Sequence, residues 1–264
     1  MKISLIITTY NWPAALELSL KSALRQSRLP AEIIVADDGS TSDTGEMVCG
    51  LARKSSVSLI HSWQEDRGFR AARSRNLAMA RATGDYFVFI DGDMVLERHF
   101  IEDHGHWATA GVFVQGGRAL LDAGLTRTAL ANGQTAFSPF VKGMANRKNC
   151  IRAAGLARFF SGNTSRLAGI RTCNFAFWKE DAVRVNGFNE EFEGWGREDS
   201  DFAARLLHSG VRRLNLRFSA VAWHLHHPEN SRQSLEKNDQ LLAETIRLKK
   251  TWCEQGLDRM QNVE

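Results

Sequence analysis

The feature that most constrains this chain is the alternation, over residues 1–93, of short apolar runs with stretches of helical spacing. The runs "KISLIITTY", "EIIVADDGST", "VSLIHSW" and "YFVFIDGD" are rich in β-branched and aromatic residues. They are short for helices; "KISLIITTY" reads as a buried parallel strand, and the other three read as further strands. Between them, "PAALELSLKSALRQS" places Leu16, Leu20, Ala23 and Leu24 on one helical face, with Pro13 near its first turn. "TGEMVCGLARK" and "RAARSRNLAMARA" read as two further helices, the second closed by Thr83-Gly84. Strands alternating with helices predict an α/β fold whose parallel sheet is wound by right-handed crossovers. Ligands of such sheets sit at the carboxyl ends of the strands.

That rule gathers Thr8, Thr9, Tyr10, Asn11, Asp37, Asp38, Asp91 and Asp93 along one edge. A single strand-terminal Asp is ordinarily a turn-former, and their convergence is what points to a site. Neither GxGxxG nor GxxxxGK[ST] occurs, so a bound diphosphate needs other counter-charge. A divalent cation on strand-end carboxylates supplies it, because Mg²⁺ and Mn²⁺ take a few oxygen ligands and share them with substrate phosphates. An Asp-x-Asp pair alone is weak, since about one arises by chance in this length. "IDGD" is distinguished by its place at the end of an apolar strand.

Composition narrows the class. The 264 residues are 43% hydrophobic, ample for a buried core in a single domain. No apolar run approaches the roughly 18 residues of a membrane span. Met1-Lys2-Ile3 leads directly into the first strand, and Cys49, Cys150, Cys173 and Cys253 fit neither a CxxC nor a disulfide framework. The expectation is a reduced, cytoplasmic chain. From Ala123 through Trp178 there are eight basic residues and no Asp or Glu. That segment is either a solvated surface or a contact for something anionic, such as a phospholipid face of the membrane or a phosphorylated acceptor. No nucleic-acid recognition module accompanies it.

In the second half, "DFAARLLHSG" puts Phe202, Ala203, Leu206 and Leu207 on one helical face. Glu198, Asp199 and Asp201 of "GWGREDSDF" therefore fall in its first turn, where carboxylates satisfy free N–H groups. "AVAWHLHHPE" reads as a strand with His224 and His226 on one face and His227 on the other. "SLEKNDQLLAETIRLKKTWCEQ" reads as an amphipathic helix using Leu235, Leu242, Ile246 and Leu248.

"SLIITTYNWP", "IIVADDGST", "RGFRAARSRNLAMARATGDYFVFIDGDM" and "GWGREDSDFAARL", in that order, resemble a family 2 glycosyltransferase of the GT-A fold. The second half is similar to the carboxyl-terminal module of galactosyltransferases and chondroitin-type polymerases. The resemblance implies one GT-A domain over residues 1–264: a nucleotide-sugar half, 1–118; a basic variable segment, 119–171; an acceptor and catalytic half, 172–228; and a terminal helix, 229–264. It implies that Thr8, Tyr10 and Asp38 hold the nucleoside, that Arg75 or Arg70 lies near the donor diphosphate, and that Asp91 approaches the ribose. It places Mn²⁺ or Mg²⁺ on Asp93 and His224, with His226 as the alternative. Asp199 becomes the base, kept ionised by the helix terminus; Glu198 and Trp195 bind the acceptor, and Asp201 is left to capping or structure. The activity implied is metal-dependent inverting transfer from a nucleotide sugar, UDP-linked, to a saccharide or lipid-linked acceptor, in lipopolysaccharide or capsule synthesis at the inner face of the membrane. Rival readings are a retaining N-acetylhexosaminyl-type transferase, a sugar-nucleotide pyrophosphorylase and a non-catalytic glycan- or lipid-binding module.

Overall fold

The four apolar runs form β1 (Ile3–Thr9), β2 (Glu32–Asp37), β3 (Ser58–Trp63) and β4 (Tyr86–Asp91), hydrogen-bonded in the order β3-β2-β1-β4 and all parallel. They are separated by α1 (Pro13–Ala23), α2 (Ser42–Ala52) and α3 (Ala71–Arg81), with Pro13 at the first turn of α1. The computed structural model describes residues 1–228 and 231–262. Beyond β4 the order of elements is β5 (Met94–Leu96), α4 (Phe100–Trp107), β6 (Val112–Gln115), β7 (Ala119–Leu121), α5 (Ala123–Asn132) and β8 (Met144–Ala145). Then come α6 (Ala154–Phe160), β9 (Gly162–Thr164), β10 (Phe175–Trp178), α7 (Lys179–Arg184), α8 (Glu198–His208), β11 (Arg212–Asn215), β12 (Ala222–His224) and α9 (Leu235–Arg247).

The main sheet, eight-stranded among the described residues, runs β3-β2-β1-β4-β10-β6-β11-β9. β10 is antiparallel to both β4 and β6, and β11 is parallel to β6, so β4, β6 and β11 point the same way. The carboxyl ends of β1, β2, β4, β6 and β11 therefore share one edge, which is the edge that carries the strand-end acids. Alternate residues of β4 show why the sheet is stable: Val88 and Ile90 pack against Leu16 and Leu20 of α1 and Phe100 of α4 on one face. Phe87 and Phe89 face Met79 of α3 and Phe202 of α8 on the other. The second face is aromatic, with Phe202 stacked on Phe188 at 4.4 Å and edge-on to Phe177 at 4.9 Å. Each buried ring contributes about 1.5–3 kcal/mol, enough to pin α8 in place.

A second sheet, β5-β12-β7-β8, has no counterpart in the sequence reading. Its strands are two or three residues long, too short for a periodicity signal. Its effect is local and important, because it sets His224 opposite Met94, the residue after Asp93.

The terminal helix departs from its expected bounds and packing. It ends at Arg247, and Lys249 adopts φ 50°. Ile246 and Leu248 are exposed, whereas the buried positions of α9 are Asn238 and Thr245. Polar anchors rather than the apolar stripe hold it to the body.

Candidate active site

At the carboxyl ends of β1 and β2, Asn11 takes φ 46°, a left-handed conformation tolerated by a short amide side chain. Its N–H donates to Ser40 Oγ, and its Oδ1 accepts from the Thr41 N–H, tying the turn after β1 to the turn after β2. Tyr10 is left projecting, 52% exposed, with its hydroxyl donating to Asp66 Oδ2 at 3.0 Å. Asp38 is buried and accepts from Gln64 Nε2 at 2.5 Å and from the Arg70 N–H at 2.7 Å. Burial nevertheless prevails over those bonds and pushes its pKa up to about 6. Asp37 is a structural neighbour, paired with His61 and accepting from the Ser40 N–H.

At the end of β4, Thr8 Oγ1 donates to Asp91 Oδ1 at 3.0 Å. Burial and the adjacent Asp93 raise the Asp91 pKa. Asp93 Oδ2 lies 3.4 Å from His224 Nε2 and 3.1 Å from His227 Nε2. These three ligand atoms lie within 4.8 Å of one another. The expected pairing of His224 with His226 on one face fails because β12 stops at His224. Leu225 then turns inward, its N–H bonded to the Asp93 carbonyl at 2.9 Å, and His226 faces outward while its N–H binds Thr126 Oγ1. His227 swings back to Asp93, edge-on to Trp12. His227 is thus the residue that strand alternation missed. Its contact with Asp93 raises its pKa to about 9, whereas burial lowers that of His224 to about 4.

Two imidazoles beside one carboxylate suit a first-row transition-metal ion better than Mg²⁺, which takes oxygen ligands almost exclusively. Asp93 Oδ1 is buried and has no hydrogen-bond partner among the described residues, as an oxygen that accepts a cation would be. The residues present therefore fit a divalent ion.

The acids of α8 have three different environments. Arg197 and Gly196 enter the helix with φ 79° and 107°, and no side chain caps it. Asp201, expected to serve capping or structure, is fully buried, paired with Arg205 at 2.7 Å and accepting from Thr245 Oγ1 of α9 at 2.7 Å. Glu198, expected at the acceptor, is buried against Arg75, Oε1 to Nη1 2.9 Å, with Oε2 unpaired. Arg75, expected at the donor diphosphate, gives its other terminal nitrogen to Thr172 Oγ1 at 2.9 Å and lies over Phe188. Burial opposes its charge, but Glu198, Asp91 and Asp199 outweigh that and raise its pKa. Arg75 therefore links the strand-end acids to those of α8. The Arg70 side chain, the other donor candidate, is committed to the Glu65 carbonyl.

Asp199 is half-buried, and its Oδ1 accepts from the Ser200 N–H at 2.6 Å. Burial and the Glu198 charge outweigh Arg75 and Ser200, and the pKa rises to about 7. This corrects the expectation that the helix terminus alone keeps Asp199 ionised: desolvation is the larger effect. Trp195, 37% exposed, presents its ring beside this loop with the Arg232 guanidinium 5.7 Å from its centre. Arg118, which no motif singled out, also feels Asp91 and Asp93, after burial and Cys173.

The profile described as glycosyl transferase family 2 matches residues 4–152, more than half of the chain. The chain belongs to that family. A second profile, described as the N-terminal domain of galactosyltransferase, matches residues 157–228. Among family 2 relatives, hyaluronan synthase of Pasteurella multocida is 26% identical over 79% of this chain and 23% of its own length. Validoxylamine A glucosyltransferase of Streptomyces hygroscopicus subsp. limoneus is 28% identical over 79% of this chain and 48% of its own. Chondroitin synthase of Escherichia coli is 27% identical over 86% and 35%. The chain thus spans between 23% and 48% of the length of these relatives.

Solved structures agree on the fold. TarS 1–349 of S. aureus in complex with UDP superposes with TM-score 0.62 at 18% identity, covering 98% of this chain and 68% of that one. The mannosyltransferase PcManGT from Pyrobaculum calidifontis, in complex with GDP-Man and Mn²⁺, gives TM-score 0.59 at 22% identity, covering 93% and 64%. The GT-A fold read from the strand-end motifs is the fold observed.

Proposed function

We propose that this chain is a metal-dependent, inverting glycosyltransferase that moves a sugar from a UDP-sugar to a saccharide or lipid-linked acceptor in bacterial cell-surface polysaccharide synthesis. The observation that carries the reading is the convergence of Asp38 and the Asp93–His224–His227 cluster near one sheet edge, linked through Arg75 to an Asp199 with its pKa near neutrality. Support for UDP comes from the TarS complex, and support for a divalent cation from the Mn²⁺ in the PcManGT complex.

In this reading Thr8, Tyr10 and Asp38 receive the nucleoside, and Asp93, His224 and His227 hold the cation. Bound there, the cation supplies positive charge to the diphosphate as it departs. Asp199 takes the proton of the acceptor hydroxyl as its oxygen bonds to the anomeric carbon, while the bond from that carbon to the diphosphate breaks and its electron pair leaves with the phosphate. Glu198 and Arg75 position Asp199 and tune its charge, and Trp195 offers a face for a sugar ring.

The test is a screen for nucleoside diphosphate release over a panel of sugar nucleotides with Mn²⁺ and with Mg²⁺. One donor is expected to be consumed, with Mn²⁺ the better cation. Asp93→Ala should abolish turnover, while Asp199→Asn should lose about 10²–10⁴-fold in rate and still bind nucleoside diphosphate. Full turnover in both variants would remove Asp93 and Asp199 from the chemistry, and failure of the unmodified chain to consume any donor would leave a non-catalytic glycan-binding module as the surviving explanation.

A membrane contact is supported by Phe140 and Phe159, 89% and 86% exposed, in the segment that lacks any acid. Co-sedimentation with anionic vesicles, and not with zwitterionic ones, is expected to weaken several-fold in Phe140→Ser and Phe159→Ser. Equal binding to both vesicle types would remove this contact from the proposal.

A further inference from the structure

Past Asp93, the ligand-binding edge of the sheet continues into a second cavity of about 220 Å³ at the carboxyl ends of β6 and β11. Arg118, Lys148, Arg171, Arg213 and Arg217 line it, and no Asp or Glu is among its described lining residues. Lys148, Arg171 and Arg217 are exposed at the rim, where water solvates them. Arg213 is different.

Arg213 is 3% exposed, and its Nη1 donates to the backbone carbonyls of Arg166 and Ala168. Those bonds are to neutral acceptors, and its Nε has no hydrogen-bond partner. Burial lowers its pKa, and among the described residues no carboxylate acts to restore it. A buried guanidinium without a counter-ion is costly, and a set of like charges around one cavity adds repulsion. An oxyanion in the cavity relieves both, and takes up the free Nε–H.

Position says which substrate would bring that oxyanion. Across the sheet, β4, β10, β6 and β11 are consecutive neighbours, which puts the end of β11 three strand spacings, about 14 Å, from the Asp91 end of β4. The proposed nucleoside residues Thr8 and Asp38 lie on β1 and just after β2, on the opposite side of β4. Arg118 joins the two regions, since it lines the cavity and its charge acts on Asp91 and Asp93.

We infer that this cavity binds an oxyanion carried by the acceptor, a carboxylate or a phosphate, and so selects acidic acceptors for the transfer proposed above, on which reading the inference rests. The full chain, first saturated with UDP and Mn²⁺ so that the donor site is filled, is titrated calorimetrically with four probes. These are inorganic phosphate, glycerol phosphate, a uronic-acid-terminated disaccharide and the same disaccharide with its carboxyl reduced to an alcohol. Saturable binding is expected for an anionic probe and not for the reduced disaccharide. Preference for a phosphate probe or for the uronate identifies the source.

Lys148→Ala/Arg171→Ala, a pair at the exposed rim that leaves buried Arg213 in place, should weaken that binding about tenfold or more with UDP affinity unchanged. The inference is overturned if no anionic probe binds, if the neutral disaccharide binds as well as the uronate, or if the double variant binds the anion as wild type does. Loss of UDP binding in the double variant also overturns it and gives the cavity to the donor diphosphate. If wild type binds no UDP with Mn²⁺, the glycosyl-transfer reading fails instead, and phosphate titration of the UDP-free chain still reports on the cavity.

Discussion

Glu198, Asp199 and Asp201 are three acids within four positions whose chemistry differs because their neighbours differ. Asp201 meets Arg205 and Thr245, Glu198 meets Arg75, and among the described residues Asp199 has Ser200 alone at hydrogen-bond distance, with the Glu198 and Arg75 charges acting on it. Asp199 is therefore the acid left free to exchange a proton. As the base it must be unprotonated, so kcat/KM should rise with pH and level off above about 7, a limb absent from the residual activity of Asp199→Asn. Stability should respond with the opposite sign. An acid whose folded pKa lies above its unfolded value holds its proton more tightly when folded, so stability falls as pH rises from about 4 to about 7. Asp199→Asn should thus raise Tm at pH 8 and not at pH 4, measurable by calorimetry. For the Asp93–His224–His227 cluster, His227→Ala is expected to weaken Mn²⁺ binding, and His226→Ala to leave it unchanged, because His227 rather than His226 turns to Asp93. The type of each of these residues was legible in the motifs. Which acid stays free, and which histidine turns inward, was not, because both depend on neighbours distant in sequence.

At the scale of elements, the site depends on how α9 clamps the loop before α8. Asn238 Nδ2 donates to the carbonyls of Glu193 and Gly196, at 3.2 and 2.9 Å, while the Gly194 N–H binds the Phe69 carbonyl at 2.9 Å. Gly194 has φ 76°, and a Cβ there would lie 2.2 Å from Ser234 Oγ, so backbone and packing both require glycine. Asn238→Ala is expected to cost roughly 1–3 kcal/mol of stability through two unpaired carbonyls, and to lower kcat more than UDP affinity, since the loop carries Trp195 and leads to Asp199. Gly194→Ala should behave likewise, and loss of UDP binding in either variant would show that the loop serves the donor side instead. Periodicity identified α9 as a helix and misjudged what it buries. Two polar side chains with partners on other elements outweigh Leu242 and Ile246, a preference no pattern of apolar spacing contains.

For the molecule as a whole, two sheets divide the labour. The large one lines up, along a single edge, the proposed nucleoside residues, the Asp91–Asp93 pair and the basic cavity. The small one contributes the histidines, by pairing β12 with β5 immediately after Asp93. Shifting β12 by one residue would turn His224 away, so a register-breaking Trp223→Pro should abolish Mn²⁺ binding while UDP alone still binds, separable by titration with and without the ion. The sequence by itself determined the parallel half of the fold, because each buried strand must be continuously apolar and each crossover helix must carry an apolar stripe, both of which are local patterns. It also determined the inventory of the site, because acids, histidines and arginines are the residue types that such chemistry requires. Only the tertiary structure decided that Arg75 holds Glu198, that Asp199 titrates near neutrality, that His227 joins Asp93 and that Arg213 is buried without a counter-ion. Each of these follows from desolvation and from charges brought within a few ångströms by the fold, and the chain order of the residues contains no measure of either.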